Sequence, residues 1–163
     1  YFYLNGQKKI KENKIKLSIF LGMIFEGFLF GIILFCAFSG VPNLLVAGKA
    51  GLNTIEKLYL AIGAGIFEEF IFRLILIGIV LVIGFKIFKI KKVNLFIPTL
   101  IASSFIFSGF HYIGGFGDNF DWQSFLLRFT AGSYWGIIFY LRGFAISTIT
   151  HIVYDFIVIY GSD

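Results

Sequence analysis

The stretch KLYLAIGAGIFEEFIFRLILIGIVLVIGFKIF, residues 57–88, decides the fold of this protein. It exceeds the roughly 20 apolar residues that one membrane-spanning helix needs. Three charged side chains, Glu68, Glu69 and Arg73, interrupt it near the middle. A helix of this length either tilts or breaks in a bilayer. We therefore expect a membrane helix whose charged side chains face other helices or water rather than lipid.

The rest of the chain repeats the apolar pattern. Hydrophobic residues make up 58% of the 163 residues and charged residues only 14%, whereas soluble domains average about 25% charged residues. The sequence predicts an all-α, polytopic transmembrane helix bundle of about five spans, which form one membrane-embedded domain over residues 17–161. The other predicted spans are residues 17–39, 94–113, 122–141 and 144–160.

Basic residues cluster between the apolar runs. If the spans alternate in direction, the two lysine clusters and Arg142 lie on one side of the membrane, and Asp118, Asp121 and Asp163 lie on the other. The positive-inside rule then predicts that residues 1–16 form a basic cytoplasmic flank. This distribution is typical of membrane topology, so we predict no nucleic-acid binding despite the net charge of +5. The lysines are Lys8, Lys9, Lys11, Lys14 and Lys16, then Lys86, Lys89, Lys91 and Lys92.

Seven ionisable residues lie inside the predicted spans. Each costs roughly 2.5–3.5 kcal/mol at the centre of a membrane helix, so they are expected to face one another or water. They are Glu68, Glu69, Arg73, His111, Arg128, His151 and Asp155. Arg128 is expected to reach the membrane interface or to pair with an acid. Glu26 is expected to be a flanking or packing residue.

Helical spacing divides the roles of the two adjacent acids. Glu69 and Arg73 stand at i, i+4 and are suited to an ion pair. Glu68 is turned about 100° away from Glu69, so it remains free to act as a general base toward a water molecule. Glu69 and Arg73 are therefore predicted to support the site, and Glu68 to react.

Two further i, i+4 pairs involve the histidines. Phe107 would fix the rotamer of His111, and Asp155 would orient His151. With Glu68 as base, one imidazole can hold the water, and His151 with Asp155 can serve the developing oxyanion. The predicted reaction is hydrolysis of an amide bond.

Each histidine taken alone also suits a structural hydrogen bond between helices. Glu68, His111 and His151 form a His2Glu set, which is a known zinc combination. No HExxH sequence and no close pair of histidines occurs, and we predict no metal and no cofactor.

Three motifs follow one another on separate spans. They are EExxxR at residues 68–73, FxxxH at residues 107–111 and HxxxD at residues 151–155. Together with Tyr140-Leu141-Arg142-Gly143-Phe144, they resemble the CAAX protease and bacteriocin-processing family (CPBP, or Abi) of intramembrane endopeptidases. The resemblance covers about residues 57–160.

The resemblance implies an intramembrane endopeptidase of the glutamic type. Members of the family cut prenylated tails in eukaryotes, and bacterial members are linked to the maturation of peptide signals or bacteriocins. This protein is expected in a bacterial plasma membrane. It implies that Glu68 and His111 activate water, that His151 and Asp155 hold the oxyanion, and that Glu69 and Arg73 shape the site. Two positions depart from the pattern: Asp155 stands where the eukaryotic enzymes have Asn, and Leu74 stands where Gly is frequent.

The expected partners are the lipid bilayer and a peptide or protein substrate near the membrane. A second hypothesis is a non-catalytic scaffold or immunity protein that binds another membrane protein. A third is a small transporter with the buried acids as a proton relay, although no inverted repeat is apparent. Because the first residue is Tyr1 and not Met, we expect the sequence to be a segment of a longer protein.

Overall fold

A computed structural model describes residues 17–40, 53–114 and 117–161. The predicted basic flank 1–16, most of the loop predicted after the first span, and Asp163 lie outside the described residues. Within the described ranges the chain is helical and contains no strand. The helices are α1 Leu17–Phe38, α2 Thr54–Glu69, a π-helical segment Phe70–Ile77, α3 Gly78–Lys86, α4 Lys92–Phe110, α5 Trp122–Arg142 and α6 Phe144–Gly161.

Helix α2, the π-helical segment and α3 follow one another without a break, so the described helices form five rods. The five predicted spans agree with these rods to within a few residues, and the all-α class is confirmed. Three helices are long and apolar enough to cross a membrane, namely α1, α4 and α6. The other two rods carry more polar residues, and several of these point into the bundle.

The long apolar stretch of residues 57–88 forms a continuous helix that becomes wider near its middle. The chain changes from α-helix to π-helix at Phe70, directly after the two acids, and the N–H of Gly78 donates to the carbonyl of Arg73 five residues earlier. Ser103 of α4 donates to the carbonyl of Phe72 at 2.7 Å and so satisfies a backbone group inside the wide turns. π-Helical turns are rare and often occur at functional sites.

The bundle buries polar and charged side chains beside its hydrophobic core and exposes many large apolar side chains, which is unlike a soluble protein. Glu69, Arg73 and His151 are at most 2% exposed. Large apolar side chains such as Phe25 and Phe105 are at least 60% exposed instead. Lipid is the solvent that suits such a surface.

Small residues let the helices approach closely. Gly132 and Gly136 of α5 form a small-xxx-small pair that packs against α4: a Cβ at Gly132 would lie 2.9 Å from Phe107 Cδ1, and one at Gly136 would overlap Leu100 Cδ1. Gly27 and Gly31 of α1 have the same spacing and approach α6 in the same way.

The two ends of the bundle differ in charge. The loop between α3 and α4 carries Lys89 and Lys91, and Arg142 ends α5 on the same side; we call this side the lysine end. The loop between α4 and α5 carries Asp118 and Asp121 and marks the opposite, acidic end. This arrangement follows from the alternating direction of the rods, as the sequence predicts.

Candidate active site

The Glu68 carboxylate lies between two imidazole rings from different helices. Glu68 occupies the last turn of α2, His111 follows the end of α4, and His151 lies inside α6. Glu68 Oε1 is 3.8 Å from His111 Nε2, and Glu68 Oε2 is 3.6 Å from His151 Nε2. Both distances exceed a direct hydrogen bond, and a water molecule can bridge groups at such separations.

His111 is turned toward Glu68 by the last turn of its own helix. Helix α4 ends at Phe110, three residues before the predicted end of this span at residue 113. His111 is therefore the C-cap of the helix and not a residue inside it. Its Nδ1 is 2.9 Å from the Phe107 carbonyl, and the two rings meet edge to face with centroids 5.0 Å apart. A carbonyl only accepts, so Nδ1 carries the proton and Nε2 of the neutral ring presents a lone pair to the site.

His151 is held by Glu69 and Trp135. Its Nδ1 lies 3.0 Å from Glu69 Oε1, and its ring stacks on the Trp135 indole at 3.6 Å. Asp155, the partner expected from the sequence, lies 3.6 Å from the other nitrogen, Nε2. Two carboxylates from different helices therefore face the ring, and Glu69 makes the shorter contact.

Glu69 is the centre of a buried polar network. Arg73 Nη1 is 3.3 Å from Glu69 Oε1, which places the expected i, i+4 ion pair inside the bundle. Ser147 Oγ is 2.5 Å from Glu69 Oε2 and 3.0 Å from the Trp135 carbonyl. The Ser147 hydroxyl has one proton, and it donates this proton to Glu69 because a carboxylate is a stronger acceptor than the Trp135 carbonyl. Through its ion pair with Arg73 and its contact with His151 Nδ1, Glu69 fixes both of these side chains.

Aromatic faces complete the surroundings of Arg73. Its guanidinium lies 4.5 Å from the centroid of the Phe107 ring and 5.7 Å from that of Trp135. Its Nη2 donates to the Gly132 carbonyl at 3.0 Å. Nε has no hydrogen-bond partner in the described part of the chain, and Nη1 meets Glu69 as an ion pair without hydrogen-bond geometry. The π faces therefore supply part of the stabilisation that hydrogen bonds would otherwise give.

A cavity of about 390 Å³ joins these groups to the acidic end of the bundle. Glu68, His111, His151 and Asp155 all contribute to its wall. The cavity continues past Arg128 to Asp118 in the loop between α4 and α5. Glu68 and Asp155 are each 16% exposed, so both carboxylates are accessible from this space.

All the residues predicted for the site lie together, whereas two contributors were missed. Ser147 precedes His151 by one helical turn, and this i, i+4 spacing was a usable signal. Trp135 reaches the site only through the packing of α5 on α6, for which the sequence offers no local signal. Glu26 pairs with Arg142 at 2.5 Å and Arg128 pairs with Asp118.

Among the described residues, no group of three or more His, Cys, Asp or Glu side chains is arranged to hold a metal ion.

An apolar helix bundle that encloses a carboxylate and two imidazoles beside a cavity defines a membrane protein with a buried polar site. Residues 49–157, two-thirds of the chain, match the family described as type II CAAX prenyl endopeptidase Rce1-like. The chain belongs to this family of CAAX membrane proteases, and the resemblance seen in the three motifs is confirmed. No curated protein and no solved structure matches the chain.

Proposed function

We propose that this protein is an intramembrane glutamic-type endopeptidase, which hydrolyses a peptide bond of a membrane-associated or lipidated peptide. The observation that carries the proposal is the position of Glu68, whose two carboxylate oxygens face two separate imidazole nitrogens at 3.8 and 3.6 Å across the cavity wall. A water molecule in the cavity beside these groups would have a carboxylate to take its proton and an imidazole to position it.

In the proposed reaction, Glu68 removes a proton from the water and the water oxygen bonds to the peptide carbonyl carbon. The carbon–nitrogen bond then breaks, and the proton passes to the leaving amine. His111 supports the water through the lone pair of Nε2. The products are a carboxylate and an amine, and no covalent enzyme intermediate forms.

The proposed oxyanion groups are His151 and Asp155. Glu69 is ion-paired with Arg73, so it accepts the proton of His151 Nδ1. His151 can then donate from Nε2 only when its ring is doubly protonated, and Asp155 can donate only when it is protonated. We propose His151 as the donor to the oxyanion, because its Nε2 lies 3.6 Å from both the Glu68 and the Asp155 carboxylates at the cavity wall.

Incorporation of oxygen from solvent tests this route. The purified protein in lipid nanodiscs is expected to cut a fluorogenic prenylated CAAX peptide at one bond. In H₂¹⁸O the new carboxylate is expected to carry one ¹⁸O atom after a single turnover, as mass spectrometry of the released fragment would show. Absence of cleavage of this peptide and of a mixture of apolar membrane peptides would contradict the proposed activity.

We also propose that the lysine end faces the cytoplasm of a bacterial cell, with the protein in its plasma membrane. Five of the 14 Lys and Arg residues precede α1, and five more lie in the connections at the lysine end or at the helix ends beside them, which is the bias that the positive-inside rule describes. The cavity extends toward the acidic end. In this orientation the substrate reaches the site from the outer side of the membrane.

Thiol labelling tests the orientation. Cys36 is the only cysteine, so Cys36→Ala gives a background for single cysteines at Asn119, at the acidic end, and at Phe88, at the lysine end. In intact cells a membrane-impermeant maleimide is expected to label Asn119→Cys and to label Phe88→Cys only after permeabilisation. The reverse pattern would contradict the proposed orientation.

A further inference from the structure

Arg128 is a cation in the cavity wall that the proposed reaction does not use. It lies on α5, and its guanidinium pairs with Asp118 of the loop between α4 and α5. The guanidinium carbon also lies 5.2 Å from the centroid of the Tyr112 ring. Tyr112 is itself held by a hydrogen bond from its hydroxyl to Ser124 Oγ at 3.0 Å. Arg128 is therefore held in the wall of the cavity by an acid, which is one of the two arrangements expected from the sequence.

One nitrogen of this guanidinium is not used. Arg128 Nη1 is buried and has no hydrogen-bond partner in the described part of the chain. The Asp118 carboxylate engages Nη2 only. A buried donor of a charged group that lacks an acceptor is unfavourable. Arg128 lines the cavity and its side chain is 23% exposed, so a turn of the guanidinium would bring Nη1 to an acceptor on a ligand in the cavity.

We propose that Arg128 is a carboxylate-binding residue of the substrate cavity. A planar guanidinium matches a carboxylate through two parallel hydrogen bonds. The incoming carboxylate accepts from Nη1 and competes with Asp118 for Nη2. Its source is the C-terminus or an acidic side chain of the peptide. The inference rests on the proposed peptidase function, because it assigns the cavity to a peptide.

The position of Arg128 suits a peptide that also reaches Glu68. Trp135 stacks on His151 and stands seven residues after Arg128 on the same helix, which is about 10 Å along the helix axis. Arg128 pairs with Asp118 at the acidic end, and both line the same cavity as Glu68. A carboxylate at Arg128 therefore leaves part of the same peptide chain free to extend to the reacting water.

Binding to a protein that cannot use its base tests the assignment. The Glu68→Gln protein in nanodiscs is titrated with two fluorescent apolar peptides that differ only in a C-terminal acid or amide. Anisotropy is expected to show the acid binding about tenfold more tightly, the ratio given by one charge-assisted hydrogen bond. Arg128→Gln is expected to remove the preference, and Arg128→Lys to retain part of it.

Arg142→Gln is the matched control, because Arg142 lies on the same helix and pairs with an acid at the other end of the bundle. It is expected to leave the preference for the acid unchanged. Asp118→Asn removes the competing carboxylate and is expected to tighten binding of the acid peptide. An amidated peptide that contains one glutamate distinguishes the source of the carboxylate: tight binding of this peptide assigns it to a side chain.

An acid preference that persists in Arg128→Gln, or an absence of binding of all the peptides to the Glu68→Gln protein, would overturn the assignment. Cleavage by the protein with Glu68 intact is measured separately. Peptides that bind through Arg128 but are not cut would therefore contradict the proposed hydrolysis and leave the carboxylate site intact.

Discussion

Replacing Glu68 with glutamine is expected to lower kcat/KM for peptide cleavage by about 10²- to 10⁴-fold, the range associated with the loss of a general base. The amide is nearly isosteric with the carboxylate but cannot take a proton from water. Glu68 is partly accessible from the cavity and makes no short ion pair, so the protein is expected to remain folded. Steady-state cleavage in nanodiscs and thermal unfolding of the same samples measure the two effects.

Glu26→Gln is the matched control for this change. Glu26 is also a glutamate in an apolar helix, but it pairs with Arg142 at the lysine end and does not line the cavity. Its replacement is expected to leave cleavage unchanged. Full cleavage by purified Glu68→Gln would remove Glu68 as the base. Full cellular function of a stable Glu68→Gln protein would favour the alternative of a non-catalytic membrane scaffold.

Replacing Arg73 with methionine is expected to destabilise the protein by about 3–5 kcal/mol, the cost of leaving one member of a buried ion pair without its partner. Methionine keeps much of the length of the side chain but removes the charge that faces Glu69. Glu69 is fully buried and would retain only Ser147 and His151 as partners. The free energy of unfolding in mixed detergent micelles measures the effect.

Arg142→Met is the control for the loss of an arginine from an ion pair. Arg142 is exposed, and exposed pairs contribute little to stability, so its replacement is expected to leave the free energy of unfolding almost unchanged. A double variant Arg73→Met with Glu69→Gln is expected to recover part of the loss, because the buried charge is gone. Equal effects of Arg73→Met and Arg142→Met would contradict the role assigned to the buried pair.

Local patterns in the sequence were sufficient to predict where the helices lie along the chain. The apolar runs gave the five rods, since the length of a span and the cost of exposing its backbone to lipid depend on nearby residues only. The i, i+4 spacing placed Glu69 beside Arg73 and Phe107 beside His111 for the same reason. The sequence predicted only that this helix tilts or breaks, and not its widening at residues 70–77, because a π-helical turn depends on partners such as Ser103 from another rod.

The sequence by itself determined which side chains are too polar for lipid and which helix carries each of them. Only the tertiary structure decided how they meet. Glu69 was expected to pair with Arg73, and in the structure it also holds His151. The stack of Trp135 on the His151 ring had no local signal in the sequence. Contacts within a helix follow from its periodicity, whereas contacts between helices depend on crossing angles and close approaches that the packing of the whole bundle sets.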